Sequence, residues 1–417
     1  MNKTPTATVV PRVLVVAPFT HQNGHFVTFP RDLCCGLATA GCEVTLLHTR
    51  PFRTNLDWFD LPIEKICLHD QLETSPWWWK EAWARLANRP SNLCLAWIVW
   101  QLKSTQYDVV IWTDFQAQAN VWALALARRI GLFRFRLAFV EHHPPDEFGG
   151  VERLLPAAIN SHRLRLNGLT MLVMSKALQS QWRVLLGQGA EVRYVPWGLW
   201  PRPLPGSRRA SARKALGIPA EARVLLVFGV QAIQRKHLDT LMAAVSGFIP
   251  QKPLWLLFVG ASLGKEPHLF ANWKGPGVET RIENSFVSEE QVETYFSAAD
   301  ASWANYRNFP GASGALFQAM GFGRLSLCSG EGEIGALCRE LNLGPIVASS
   351  TPQAIRDGLT RFIEMTETDQ AKWEHDVAEV SRQYSWPEIG RQVMEEMGFP
   401  LPLRIEFSPA EQHSTEG

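Results

Sequence analysis

What the 417-residue chain lacks narrows its function first. It has almost no charge excess: 41 Lys+Arg stand against 40 Asp+Glu, a formal net charge of +1. A dedicated nucleic-acid binder carries a clear basic surplus, so that class is disfavoured. Its longest apolar runs, such as Leu93–Trp100 and Leu254–Gly260, fall far below the ~18 residues that span a bilayer. The opening MNKTPTATVVPR has no apolar stretch of signal-peptide length, and no secretory signal is expected. Cys34, Cys35, Cys42, Cys67, Cys94, Cys328 and Cys338 form no CxxC pair and sit mostly in apolar runs. Reduced, buried thiols in a cytoplasmic protein are expected.

Familiar motifs are missing as well. No GxGxxG follows the first apolar run; VLVVAPFTHQNGH offers only Gly24, so a nicotinamide-dinucleotide site is not expected. GASLGK over Gly260–Lys265 is one residue short of a phosphate-binding Walker loop and lacks its Ser/Thr. There is no HExxH, no paired metal-ligand cluster and no GxSxG elbow.

What is present is a folded composition, 46% hydrophobic and only 19% charged, long enough for two or three domains. Val13–Ala17, Val44–Leu47, Val109–Trp112, Leu137–Val140, Leu172–Met174 and Val192–Val195 read as buried strands. Helical stretches such as Pro30–Ala40 and Ala117–Arg129 separate them. PRPLPGSRRASARKALG, Pro201–Gly217, has three prolines and five basic residues without an acid, the texture of an interdomain connector. A second series follows, with strands Val224–Phe228, Leu254–Val259, Ala301–Trp303 and Leu325–Cys328. Helices are expected near His237–Val245, Ser288–Ala298 and Ser313–Met320. Continuous apolar strands alternating with helices predict an α/β protein with two parallel sheets covered on both faces. Ligands of such sheets bind at the carboxyl ends of the strands.

Two segments carry chemistry. Gly311, Ala312, Ser313 and Gly314 follow a strand and precede an apolar helix, exposing backbone N–H groups at the positive helix end, a setting for phosphate or for an ordinary Ser cap. Arg235 and Lys236 follow the strand ending at Phe228–Gly229, where two cations clamp a diphosphate or simply form a solvated pair. In the first half, FVEHHPPD puts Glu141, His142 and His143 at a strand end. Glu141, His142 and His143 are the candidate catalytic acid–base groups.

Together these segments resemble the nucleotide-sugar-binding half of GT-B glycosyltransferases of the family 4 / group 1 type. VPWGL (Val195–Leu199) stands where that family has V-P-N-G-V between domains. FGVQAIQRKHLDTL is similar to its G-R-x-x-x-K-G segment, one residue longer and with His237 for Gly. FVSEEQVETYFSAADASW, with Asp300 closing the helix, and GASGALFQAMGFGRLSL are similar to its following helices and strands. YSWPEIGRQVMEEM is similar to its terminal segment. The likeness spans about residues 12–398 and is strongest in the C-terminal half. It departs at the two donor-site glutamates with seven residues between them: Pro310 and Gln318 stand there.

The resemblance implies a GT-B architecture of two Rossmann-like parallel-sheet domains facing an interdomain cleft. An acceptor domain would cover residues 1–199, a donor domain 200–383, a helix at 384–398 would cross back, and 401–417 would be a flexible tail. It implies an enzyme moving sugar from a nucleotide-diphosphate sugar to a saccharide or lipid-linked saccharide in surface-polysaccharide synthesis. The alternatives are a catalytically silent binder of nucleotide-sugar or partner transferase, and a sugar-nucleotide epimerase. Donor phosphates would meet Arg235, Lys236, Gly311–Gly314 (Gly311, Ala312, Ser313, Gly314) and Gly24. Ribose or sugar would meet Gln318, Asn305 and Asn308. His21, Asn23, His25 and Asp114 would line the acceptor side. No metal or other cofactor and no nucleic acid is called for, and the stereochemical outcome is open.

Of the 17 tryptophans, eight lie between Trp77 and Trp122, and Pro76–Arg136 holds eight Lys/Arg against three Asp/Glu. Indoles beside cations suit a membrane interface, and indoles also stack on sugar rings. Trp77, Trp78 and Trp79 are therefore candidates for peripheral contact with the inner membrane face or for an acceptor wall, whereas Trp97, Trp100 and Trp112 are expected in the core.

Overall fold

The computed structural model describes residues 10–19, 25–50, 52, 58–73, 94, 97–98, 107–113, 135–142, 144, 169–186, 191–204, 206–261, 276–307, 309–348 and 350–402. The chain forms two compact units, one of residues up to Gly198 and again from Trp386, the other Leu199–Ser385.

In the first unit, strands β1 (Arg12–Ala17), β2 (Glu43–His48), β3 (Glu64–Cys67), β4 (Val109–Trp112), β5 (Arg136–Glu141), β6 (Leu169–Val173) and β7 (Glu191–Tyr194) form one parallel sheet. Its order is β3-β2-β1-β4-β5-β6-β7. Helices α1 (His25–Thr39), α2 (Leu68–Glu73) and α3 (Lys176–Leu186) belong to it. Trp97 and Trp112 are 7% and 1% exposed within its core, as expected from their apolar surroundings, while Trp100 lies outside the described residues.

The second unit carries α4 (Ser207–Leu216), β8 (Arg223–Phe228), α5 (Leu238–Val245), β9 (Leu254–Val259), β10 (Val278–Glu283), α6 (Glu289–Ala298) and β11 (Ala301–Trp303). It continues with α7 (Gly314–Gly321), β12 (Leu325–Ser329), α8 (Gly332–Glu340), β13 (Ile346–Val347), α9 (Pro352–Glu364) and α10 (Glu367–Arg382). The sheet order is β10-β9-β8-β11-β12-β13, parallel at each pairing. Leu225, Val227, Leu256 and Phe258 pack into one core, and Val224, Leu226, Leu257 and Val259 into another. Alternate residues thus face opposite layers, which is why β9 and β8 from Val224 onward are apolar. β11 pairs directly with β8, so the chain reverses its direction of travel across the sheet between them. Such a reversal opens a crevice at the strands' carboxyl ends.

The connector expected over Pro201–Gly217 is for the most part helix α4, ending in Gly217 at φ 68. Three of its basic residues have acidic partners distant in sequence. Arg208 meets Glu293 at 2.8 Å, Arg209 meets Glu374, and Arg213 Nη2 lies 2.7 Å from both oxygens of Asp300. Asp300 also accepts from the Val224 N–H at 2.8 Å, tying α4 to the start of β8. Arg324, with no exposed surface, donates to Glu374 at 3.0 Å.

Returning to the first unit, helix α11 (Trp386–Glu396) packs on α1 at Gly36 and Gly390, where an added Cβ would meet opposing backbone at 2.3 and 2.8 Å. Among the described residues no helix is long and apolar enough to cross a membrane. Every cysteine is free, and all but the half-buried Cys67 are buried.

Candidate functional site

The two segments that the sequence offers as candidates for phosphate fall on either side of the β8/β11 reversal. β8 ends at Phe228, and Gly229 follows. Gly260, after β9, comes so close that a Cβ on it would lie 2.2 Å from the Gly229 carbonyl oxygen. The side chain of Gln231 closes this end of the sheet, its Nε2 within 2.8–3.1 Å of the carbonyls of Val227, Gly229 and Val259.

Lys236 is 3% exposed and donates from Nζ to the Phe228 carbonyl. Burial pushes its pKa down to about 7, with the neighbouring Arg235 charge adding to the effect. A Cβ on Gly229 would stand 3.6 Å from this Nζ and 3.9 Å from Ala315 Cβ in the first turn of α7. The ammonium and the helix N-terminus therefore flank the same glycine.

Further contacts join the loops. The Arg235 carbonyl accepts from the Arg307 N–H at 2.7 Å, and the exposed Arg235 guanidinium lies 5.3 Å from the Phe309 ring centre. The Lys236 carbonyl accepts from Trp303 Nε1 at 2.7 Å. His237 is left-handed at φ 50, which explains why glycine suits this position in the resembled pattern. Its Nδ1 lies 3.1 Å from Arg307 Nη2; since arginine only donates, Nδ1 accepts and the ring proton sits on Nε2. Burial, and then Arg307, hold the His237 pKa below its ordinary value.

Ser313 caps α7, its Oγ accepting from the Leu316 N–H at 3.2 Å. Gly311 is buried, and Ala312 and Gly314 are half-buried. Gln318 is half-buried one turn into α7. Asn305 has no exposed surface: its Oδ1 accepts from Ser350 Oγ at 3.2 Å, so it offers a ligand no surface in this conformation. Asn308 lies outside the described residues.

In the first unit Glu141 closes β5, 2% exposed, and its Oε1 accepts from the His142 N–H at 2.8 Å. The half-buried His142 ring meets Phe29 edge-on at 4.8 Å and Trp197 at 5.4 Å. His25 opens α1, with its side chain outside the described residues. His21, Asn23, Gly24, Trp77, Trp78, Trp79, Asp114 and His143 lie outside them too. Among the described residues no group of three or more His, Cys, Asp or Glu is placed to hold a metal ion.

Sequence reading missed Arg307 and Phe309, which join the loop after β8 to the loop after β11, Tyr306 within the latter loop, and Trp197 and Phe29 beside His142. The glycines closing β8 and β9 were an available signal, since Gly after a buried strand marks close backbone approach.

The sequence matches no protein-family model, and no curated protein matches it. Solved structures do match in fold. A sucrose-phosphate synthase from Thermosynechococcus elongatus superposes with TM-score 0.61 at 16% identity, over 92% of this chain and 98% of that one. HepE from Anabaena, in complex with UDP and glucose, gives 0.59 at 16% identity, over 93% and 99%. WaaG, a glycosyltransferase involved in lipopolysaccharide biosynthesis, gives 0.56 at 14% identity, over 93% and 99%. The two parallel-sheet α/β units of this chain have the GT-B fold of these glycosyltransferases.

Proposed function

We propose that the chain is a glycosyltransferase that moves a sugar from a nucleotide-diphosphate sugar to a saccharide or lipid-linked saccharide acceptor. The observation that carries the reading is the meeting of Lys236, Gly229 and the first turn of α7 at the β8/β11 reversal. In transfer, the bond between the anomeric carbon and the diphosphate oxygen breaks, an acceptor oxygen bonds to that carbon, and negative charge grows on the leaving diphosphate. Lys236, Arg235 and the N–H groups leading into α7 are preorganised for that charge, the kind of term that dominates such catalysis. Gln318 is the candidate for ribose hydroxyls, through its amide.

The second unit then holds the donor and the first the acceptor, whose hydroxyl proton His142 receives if configuration inverts. If configuration is retained, His142 positions the substrate instead. These residues supply the phosphate charge partners themselves, so no metal or other cofactor forms part of the proposal. Membership of family 4, work on a surface polysaccharide, and peripheral contact with the cytoplasmic membrane face through Trp77–Trp79 are the finer parts of the reading. They rest on the quoted motifs and the tryptophan–arginine segment.

Pro310 and Gln318 in place of two glutamates favour one competing reading, a GT-B protein that binds nucleotide-sugar without turning it over. A donor-hydrolysis screen with mass-spectrometric readout separates the two. Release of free sugar from one donor supports transfer. Nucleotide binding without any turnover across donors and acceptors supports the silent binder.

A further inference from the structure

Trp197 stands where the resembled interdomain link has asparagine, and the structure gives it a use. Its ring lies 5.4 Å from the His142 imidazole and 5.1 Å from Phe29. Phe29, 2% exposed, meets His142 edge-on at 4.8 Å and 85°, and on another side meets Trp386 at 5.5 Å and 72°. Trp386 in turn is wedged where side chains are missing. A Cβ on Gly198 would lie 2.3 Å from its indole, and one on Gly36 2.3 Å from its carbonyl oxygen. The backbone at His142 is held separately, by the Glu141 carboxylate. The imidazole itself is bordered by the Phe29 and Trp197 rings, and such aromatic pairs favour edge-to-face and tilted arrangements. An asparagine at 197 would remove one wall.

We propose that Trp197, seated by Phe29 and Trp386, is a positioning residue for His142, holding its imidazole in the single orientation seen here. The kinetic consequence rests on the glycosyltransferase reading; the orientation itself does not.

The test uses the full chain in four variants: Trp197→Leu, Trp197→Phe, Trp386→Phe and His142→Gln. Imidazole resonances are followed by NMR, His142 being assigned by its loss in His142→Gln. In Trp197→Leu the His142 signals are expected to leave their ring-current-shifted positions. Donor-hydrolysis kcat should fall about 10-fold or more, as a misplaced group implies, with the donor KM within about twofold. Trp197→Phe should restore most of both, a rescue that generic destabilisation would not give. Trp386→Phe keeps an aromatic ring and should shift the same signals by less, which preserves the test if Trp197→Leu does not fold. Unmoved His142 signals in folded Trp197→Leu, or a loss confined to KM, overturn the proposal. If the wild type binds no nucleotide and hydrolyses no donor, the transferase reading fails, and the NMR shift alone decides the orientation claim.

Discussion

The hydroxyls of Tyr306 and Ser313 lie 2.6 Å apart, both inside the protein, and join the loop after β11 to the cap of α7. Ser313 is thereby fixed twice, by Tyr306 and by the Leu316 N–H that it caps. Removing the cap in Ser313→Ala should cost about 1 kcal/mol, with about 1–3 kcal/mol more for the stranded Tyr306 hydroxyl. Tyr306→Phe should cost less. Urea denaturation of both singles and the double should show a coupling of about 0.5–1.5 kcal/mol. Additive losses would mean that the two hydroxyls act separately.

Lys236 is held at a cost. Its pKa, ordinarily 10.5, is lowered to about 7. The unfolded chain therefore binds the proton more tightly, and each unit of depression costs about 1.4 kcal/mol of stability where both states are protonated. The penalty is full below pH 7 and fades as pH rises from 7 toward 10.5. Lys236→Met should thus stabilise the protein by about 1–3 kcal/mol at pH 7, net of the lost bond to Phe228, while weakening nucleotide binding. A variant that is less stable, or that binds nucleotide normally, would contradict the assigned role.

The same group gives binding a proton signature. A diphosphate beside Lys236 favours its charged form and raises its pKa. At pH 8 the free protein carries Lys236 mostly neutral, so binding should take up close to one proton. Affinity should fall by up to about tenfold per pH unit above 7. Calorimetry in buffers of different ionisation enthalpy reads the uptake directly; a buffer-independent enthalpy would rule it out.

Gly260 has φ 132 and faces the Gly229 carbonyl, so Gly260→Ala meets rigid backbone as well as unfavourable torsion. A loss of about 2–4 kcal/mol is expected, with weakened nucleotide binding through the displaced Gly229. Gly247→Ala is the comparison: φ is 74 there, but nothing lies within 4 Å, and about 1 kcal/mol is expected. Equal thermal shifts for the two would deny the close approach any weight.

The central strands were legible because burial on both faces leaves a continuous apolar run: Val109–Trp112, Leu254–Val259 and Ala301–Trp303 match β4, β9 and β11 in full. β10, VETRIE, was invisible because it is an edge strand, largely exposed. Helix α4 looked like a connector because its arginines find acids only through the fold: Arg213 pairs with Asp300 across 87 positions and Arg209 with Glu374 across 165. Around the candidate site, Gly229 and the Ser313 cap left marks in the sequence. The aromatic contacts to His142 come from two segments far apart in sequence, Phe29 and Trp197, and left none that periodicity could detect.

The claim that the β8/β11 crevice binds a nucleotide diphosphate is tested most directly by calorimetric titration. A panel of nucleoside diphosphates is added, in EDTA, to the wild type and to an Arg235→Ala/Lys236→Met double variant shown to be folded. The account predicts one-to-one binding of at least one nucleotide to the wild type and a loss of about 100-fold or more in the double variant, which lacks both charge-assisted contacts. No binding of any nucleotide by the folded wild type, or equal affinity in the two proteins, would contradict it.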